Sequence, residues 1–231
     1  MATAPDLIRG RLVTVTEAVA KDLADVATST EPDRAPAAVL AALPLIVPSY
    51  YDAAGALAVD WYDELRDAAR PTTRYAPTII GDPTTDWIER EVAKFQKQLS
   101  SDLNVEEMSA RLVDEITALT EKEVAYGFRD SILGNTRQDQ DALGWSRVAR
   151  PGGCKFCVML ASNDAWYRRE ATATFAAHKN CHCAAQPVFR NGARGPEASV
   201  VQYLAQTSSR TPAERAKVRA YLNKNFPDAP G

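Results

Sequence analysis

Apolar residues recur at intervals of three and four along most of the first 135 residues, which is the period of one face of an α-helix. The clearest rows cover residues 8–26, 54–68 and 88–103. The Pro/Thr-rich stretch 70–84 predicts a connector between helices. Asn104 followed by Glu107 predicts a helix N-cap with its capping-box partner, and this helix is expected to reach about Asp130. The N-terminal part of the chain is therefore predicted to be mainly helical.

Four prolines lie between the first row and the second, at positions 32, 36, 44 and 48. A proline inside a helix removes one backbone N–H and clashes with the carbonyl four residues earlier. We therefore expect short helical pieces over this stretch. Pro36, Pro44 and Pro48 interrupt the most apolar run, "APAAVLAALPLIV", so no membrane-spanning segment of about 18 to 20 apolar residues is expected.

The sequence changes character at Trp145, where short stretches typical of strands replace the helical rows. The predicted strands are "WSRVAR" (145–150), "AWYRR" (165–169) and "CHCAAQPVF" (181–189). We expect the last strand to end at Pro187. The stretch "CKFCVMLA" (154–161) predicts one or two helical turns, and Thr211, Pro212 and Glu214 predict the start of a final helix that ends near Lys224.

These elements predict an α+β fold with three parts. A long, mainly helical body occupies residues 1–140, a small mixed α/β cysteine-rich module occupies 141–190, and a basic hinge with a C-terminal helix occupies 191–231. The N-terminus has no charged region followed by an apolar run, so a signal peptide is not expected. In the reducing cytosol that this implies, clustered cysteines are more often metal-binding or catalytic than paired in disulfides.

Five metal-ligand residues follow the pattern C-x2-C-x20-H-x2-C-x-C. They are Cys154, Cys157, His178, Cys181 and Cys183. Two cysteines three residues apart at a helix entry project onto one face, and two cysteines flanking one strand residue also share a face. Soft sulfur with one imidazole suits Zn²⁺. Because a structural zinc takes four ligands, one candidate is expected to be left out, and Cys183 is the most doubtful.

Other interpretations of these cysteines remain open. They could pack a small core in reduced form, or Cys154 and Cys157 could form a redox C-x-x-C pair. A nucleophile pair of Cys154 with His178 has the right residue types, but no Asn or Asp that would orient the histidine is identifiable.

The net charge of −3 is unevenly distributed. Seven Lys and Arg residues against three Asp and Glu residues give Arg190 to Gly231 a net charge of +4. A basic tail on an acidic body can contact nucleic acid phosphates, for example packaged DNA, or it can be a solvated helix face.

The stretches "GWSRVARPGGCKFCVMLASNDAWY" and "FAAHKNCHCAAQPVF" resemble the C-terminal module of the MuF-like minor capsid proteins of tailed phages, in the version found in phages of actinobacteria. The resemblance rests on the Trp145 strand, the C-x-x-C pair, the run Met159 to Ser162, and the H-x-x-C-x-C stretch that leads to Phe189.

This resemblance implies a minor structural protein of a phage or prophage head. Such a protein lies in the virion capsid, and in the host cytoplasm during assembly. Its expected partners are the portal, major capsid or scaffold protein, and its expected roles are head morphogenesis, DNA packaging or genome delivery. Similar proteins are sometimes labelled capsid maturation proteases, which is the enzymatic alternative. Because the only two histidines lie in the cysteine cluster, we expect no catalytic residues. A zinc-ribbon-like nucleic-acid-binding protein is the third interpretation.

Overall fold

The computed structural model describes residues 4–99, 102–149, 166–168 and 183–192, and single residues at 155, 158, 161, 211, 213, 216, 220, 223 and 224. The helices are α1 (Ala4–Thr28), α2 (Ala35–Ala68), α3 (Asp86–Gln96) and α4 (Val105–Gln138). The strands are β1 (Ala142–Val148), β2 (Trp166–Arg168) and β3 (Ala184–Phe189), and a short 3-10 helix covers Arg190–Gly192.

The described residues confirm an α+β fold with a long helical N-terminal region and a small antiparallel sheet. The predictions for 154–161 and for the C-terminal helix fall mostly outside the described residues, although the single residues described there, apart from Thr211, are helical. The predicted boundaries of the three parts stay predictions.

The core lies where α2 and α4 cross and α1 packs against both. Side chains from all three helices are fully buried there: Leu12, Val19, Leu23, Val39, Leu43, Val47, Ile116, Phe128 and Ile132. The rows of apolar residues that predict the helices therefore face this shared interior. Burial of such rows supplies most of the stability of helices in a folded protein.

The prediction that prolines divide residues 32–48 into short pieces is wrong, because α2 runs unbroken from Ala35 and contains Pro44 and Pro48. Pro44 is exposed and Pro48 is half-buried, so both rings lie off the fully buried row that includes Leu43 and Val47. Each proline removes a backbone hydrogen bond, which costs stability. Leu43 and Val47 are buried in the same helical turns, and their packing keeps these turns helical.

By length and composition α2 could cross a membrane, since an 18-residue window has a mean hydropathy of 1.4. The core helix of a soluble protein meets the same criterion. One row of α2 is buried against α1 and α4, and its outer side, which includes Leu45 at 83% exposed, is open.

The capping-box prediction for α4 is confirmed. The Asn104 side chain accepts a hydrogen bond from the Glu107 N–H at 2.8 Å, and the Glu107 carboxylate accepts one from the Asn104 N–H at 3.3 Å. The predicted end near Asp130 is wrong, because α4 continues to Gln138. Three polar residues of its last two turns, Ser131, Asn135 and Thr136, are buried and hydrogen-bonded, so they extend the helix.

The sheet has the order β2-β1-β3, and both pairings are antiparallel. Trp145 lies opposite Tyr167 on one side and opposite Pro187 on the other. The expected end of the last strand at Pro187 is wrong, since β3 continues to Phe189. In the described sheet β3 is an edge strand, and an edge position tolerates a residue that lacks an N–H. β1 and β3 pack against α4.

Glycines on α4 allow the chain to approach this helix closely. A Cβ atom at Gly127 would collide with the backbone oxygen of Tyr51 on α2. A Cβ atom at Gly134 would lie 2.6 Å from the Ile80 side chain. Any larger residue at these two positions must therefore push α2 or the residues around Ile80 away from α4.

We expect Gly127→Ala to lower the free energy of unfolding by about 1 to 3 kcal/mol, because the new methyl group meets backbone that cannot rotate away. Gly10→Ala on α1 is the matched control, since nothing lies within 4 Å of a Cβ atom there. This control should gain up to about 1 kcal/mol from helix propensity. Denaturant unfolding of both variants measures the difference, and equal effects would contradict a close α2–α4 contact.

Candidate functional site

The predicted metal ligands lie almost entirely outside the described residues. Cys154, Cys157, His178 and Cys181 are not described, and Cys183 is the only candidate whose surroundings are known. Within the described part of the chain, no three His, Cys, Asp or Glu side chains converge as a metal site requires. The zinc site therefore stays a prediction, and the described residues that flank it form the candidate site.

Cys183 lies directly before β3 and is only 2% exposed. Its backbone carbonyl accepts a hydrogen bond from Nε of Arg129 at 3.1 Å. Arg129 belongs to α4 and is completely buried, and its guanidinium lies 5.5 Å from the centre of the Tyr126 ring. A buried cation of the helical body thus holds the backbone at the end of the cysteine segment, which we define as residues 150–182.

A second arginine holds the beginning of the cysteine segment. Arg9 of α1 is 6% exposed and donates a hydrogen bond from Nη1 to the backbone carbonyl of Ala149. Burial lowers the pKa of Arg9 from its usual value, and the neighbouring Cys183 acts in the opposite direction. Arginine suits this role because its guanidinium keeps its charge and offers several donors in a fixed geometry. Both residues that flank the cysteine segment are therefore bound by arginines of the helical body.

The sheet adds a third attachment point. The rings of Trp145 on β1 and Tyr167 on β2 stack with centroids 4.5 Å apart and planes inclined by 23°. Their Cα atoms are also direct cross-strand partners. Since β2 lies within the cysteine segment, this aromatic pair ties the middle of the segment to β1.

A polar row on α4 binds the connector, residues 70–85. Asn135 accepts hydrogen bonds from the Tyr75 hydroxyl at 2.7 Å and the Thr78 N–H at 2.9 Å, and it donates to the Thr78 carbonyl at 2.7 Å. Ser131 accepts from the Ile80 N–H at 3.0 Å. A chain segment without regular structure needs such partners for its backbone groups, and α4 supplies them.

Glu123 continues this polar row towards α3. Its carboxylate accepts hydrogen bonds from the Thr84 N–H and from Nε1 of Trp87, both at 2.8 Å. Burial raises the pKa of Glu123 above its usual value, although these two hydrogen bonds act in the opposite direction. The residue therefore fixes the end of the connector and the start of α3.

At the other end of the row, a buried ion pair joins α2 to the turn after α4. Nε of Arg66 donates to Asp139 at 2.8 Å, and the Tyr62 hydroxyl donates to the same carboxylate at 3.2 Å. Nη2 of Arg66 also donates to the Thr73 carbonyl at 2.7 Å. Burial, with the Asp139 charge next in importance, raises the pKa of Tyr62.

Asp141 binds the first residues of the connector, at the same end of the polar row as Asp139. Its carboxylate accepts hydrogen bonds from the N–H and hydroxyl groups of both Thr72 and Thr73, at 2.6 to 3.1 Å. The Thr73 hydroxyl, followed by the Thr72 hydroxyl and the two backbone N–H groups, lowers the pKa of Asp141 to about 2. These side chains orient backbone segments, which is a positioning role and not an arrangement of nucleophile and base.

The sequence-based search missed Arg9, Arg66, Arg129, Asn135 and Asp139. Arg66 follows Tyr62 and Arg129 follows Ala125 by four residues, so each arginine shares a helix face with a residue that the structure buries. A charged residue at a position that helical spacing places in the core predicts a buried polar contact. The sequence does not reveal its partner.

The fold and these contacts define an α+β protein in which buried polar side chains of a helical body hold a connector and a cysteine segment. The model of the VG15 protein family matches residues 3–207, a range that includes the four helices and three strands of the described residues. The chain belongs to the VG15 protein family, and this membership indicates a phage-encoded protein. No curated protein and no solved structure gives a significant match to the chain.

The lowered pKa of Asp141 predicts a pH-dependent contribution to stability. Because the folded-state pKa is about 2 and the usual value is 3.8, the ionised carboxylate stabilises the folded state above about pH 4. This contribution is lost as the pH falls through about 2. We expect Asp141→Asn to be less stable than the wild type near neutral pH, and the difference should shrink between pH 4 and pH 2.

Urea unfolding across this pH range measures the effect. Asp25→Asn is the matched control, since Asp25 forms an exposed i, i+4 pair with Lys21 and its loss should change stability by less than about 0.5 kcal/mol. A constant difference between the wild type and Asp141→Asn at every pH would show that the carboxylate charge is not involved.

Proposed function

We propose that this phage-encoded protein is a MuF-like minor structural protein of the phage or prophage head. It acts in the virion and during procapsid assembly, next to the portal and the major capsid or scaffold protein. The observation that carries the proposal is the VG15 family match over residues 3–207. This match spans both the helical body and the stretches in which the MuF-like motifs occur, and it agrees with the phage origin that those motifs imply.

The contacts of the described residues support a binding role. The acidic side chains of Glu123, Asp139 and Asp141 accept hydrogen bonds from backbone, threonine, tryptophan or arginine groups. The arginines Arg9 and Arg129 bind the backbone at both ends of the cysteine segment. These groups therefore build a rigid body that presents the cysteine segment, as an assembly protein needs for docking on a larger shell.

Co-expression with the portal and major capsid proteins of the same phage tests this function. We expect the chain to sediment with assembled particles when the portal is present and to remain in the supernatant when the portal is omitted. The major capsid protein should keep its full length. Absence from particles would overturn the proposal. Specific cleavage of the major capsid protein, abolished by one substitution in this chain, would favour the capsid maturation protease instead.

We further propose that the cysteine segment holds one structural Zn²⁺ through Cys154, Cys157, His178 and Cys181. Four such ligands complete a tetrahedral site, so Cys183 is not needed. The burial of Cys183 and the binding of its carbonyl by Arg129 support a packing role for this fifth candidate. When bound, the metal would supply folding energy to the segment and no catalytic chemistry.

This assignment predicts about one zinc per purified chain, measured by elemental mass spectrometry. Cys154→Ser should lose the zinc because a tetrahedral site needs all four ligands. Cys183→Ser is the matched control and should keep it. Equal zinc loss in both variants would place Cys183 among the ligands, and a folded wild-type chain without zinc would overturn the metal site.

A further inference from the structure

A groove of about 660 Å³ lies at the end of the helical body where α1 ends and α4 begins. It is formed by the last two turns of α1, the loop 29–32, the start of α2 and the first turns of α4. The residues that line it are Ala24, Ala27, Thr28, Ser29, Thr30, Glu31, Pro32, Ala35, Glu106, Ser109, Ala110, Val113 and Asp114. None of the structural contacts described above uses this groove.

The groove combines small apolar side chains with one sign of charge. Ala24, Ala27 and Ala110 leave room for the backbone of a ligand to come close. Every charged side chain among the lining residues is a carboxylate, and Glu31, Glu106 and Asp114 are exposed. A fitting ligand therefore carries small apolar residues on one face and positive charges beside them.

The C-terminal stretch of this chain has that chemistry. Residues 210–224 contain five Lys and Arg residues and a single acidic residue, Glu214. The described residues Ala213, Ala216 and Ala220 are helical and exposed. Because they are spaced by three and four, they lie on one face of the helix. Lys224 is also helical and exposed, and it follows Ala220 by four residues, so a positive charge lies beside the alanine face.

We propose that the groove binds residues 210–224 of a second copy of this chain. Within one copy, Lys155 donates a hydrogen bond to the Asn223 side chain at 2.8 Å, so Asn223 lies against Lys155 of its own copy. None of the described C-terminal residues lines the groove of its own copy. Two different surfaces meet in such a contact, so the association is head-to-tail and either closes a ring or extends a filament.

Charge reversal in the full-length chain tests this contact. One variant, Glu31→Lys with Asp114→Lys, reverses the groove. The other, Arg215→Glu with Lys217→Glu, reverses the C-terminal stretch. Sedimentation velocity over a concentration series should show wild-type self-association at low salt, and each variant alone should associate at least about tenfold more weakly, since like charges then face each other.

Two further combinations of these substitutions identify the occupant. The groove variant mixed with the C-terminal variant should regain association, because the unchanged C-terminal stretch of one matches the unchanged groove of the other and the two reversed surfaces also carry opposite charges. A chain that carries all four substitutions should regain wild-type association. Asp60→Lys with Glu64→Lys is the matched control, since it reverses two exposed carboxylates outside the groove, and it should associate like the wild type.

A wild-type chain that stays monomeric at every concentration would overturn the proposal. A mixture of the two variants that does not associate would also overturn it, because the groove and the C-terminal stretch would then not meet between copies. If the C-terminal variant loses binding to duplex DNA at low salt and self-associates like the wild type, the basic stretch contacts phosphates and the proposal fails. Failure on any of these points leaves the particle-sedimentation test of the proposed function unaffected.

Discussion

The close crossing of α2 and α4 is the contact on which the other described contacts depend. At Gly127 the backbone of α4 lies directly against the backbone of Tyr51 on α2, and no side chain of α4 separates them. This approach brings Gly55 and Gly134 next to the connector, where Cβ atoms would lie 2.6 Å from the side chains of Ile79 and Ile80. Small residues at the crossing thus leave a channel along α4, and the connector fills it. A wider crossing would separate the connector from the polar row that satisfies its backbone.

The helix α4 performs three tasks on different sides. Its apolar row closes the core, its polar row from Glu123 to Asn135 binds the connector, and Arg129 binds the carbonyl of Cys183. This explains why α4 carries many buried polar residues and a low overall apolar content for a central helix. A buried polar group costs stability unless it is hydrogen-bonded, so each of these residues constrains the segment that it contacts.

Much of the fold could be predicted from the sequence because its signals are local. The capping box at Asn104, the helical rows and the three strands depend on residues close together in the chain. The predictions failed where distant packing overrides a local rule, at Pro44 and Pro48 inside α2 and at Pro187 inside β3. The candidate site shows the same limit. The pairing of Arg9 with the carbonyl of Ala149 joins residues 140 positions apart, and no local pattern indicates it.

The attachment of the cysteine segment at both ends determines what a metal could contribute there. Val148 pairs with Ala184 across the sheet, so the ends of the segment are already together. Loop length itself matters little, since each doubling costs only about 0.6 kcal/mol. A metal held by residues near both ends of the segment would therefore add little to the closure of the loop. Its energy would instead order the interior of the segment, while the helical body keeps its own core of α1, α2 and α4. Removal of such a metal would thus affect the surface that the segment presents to a partner and leave the body that carries it folded.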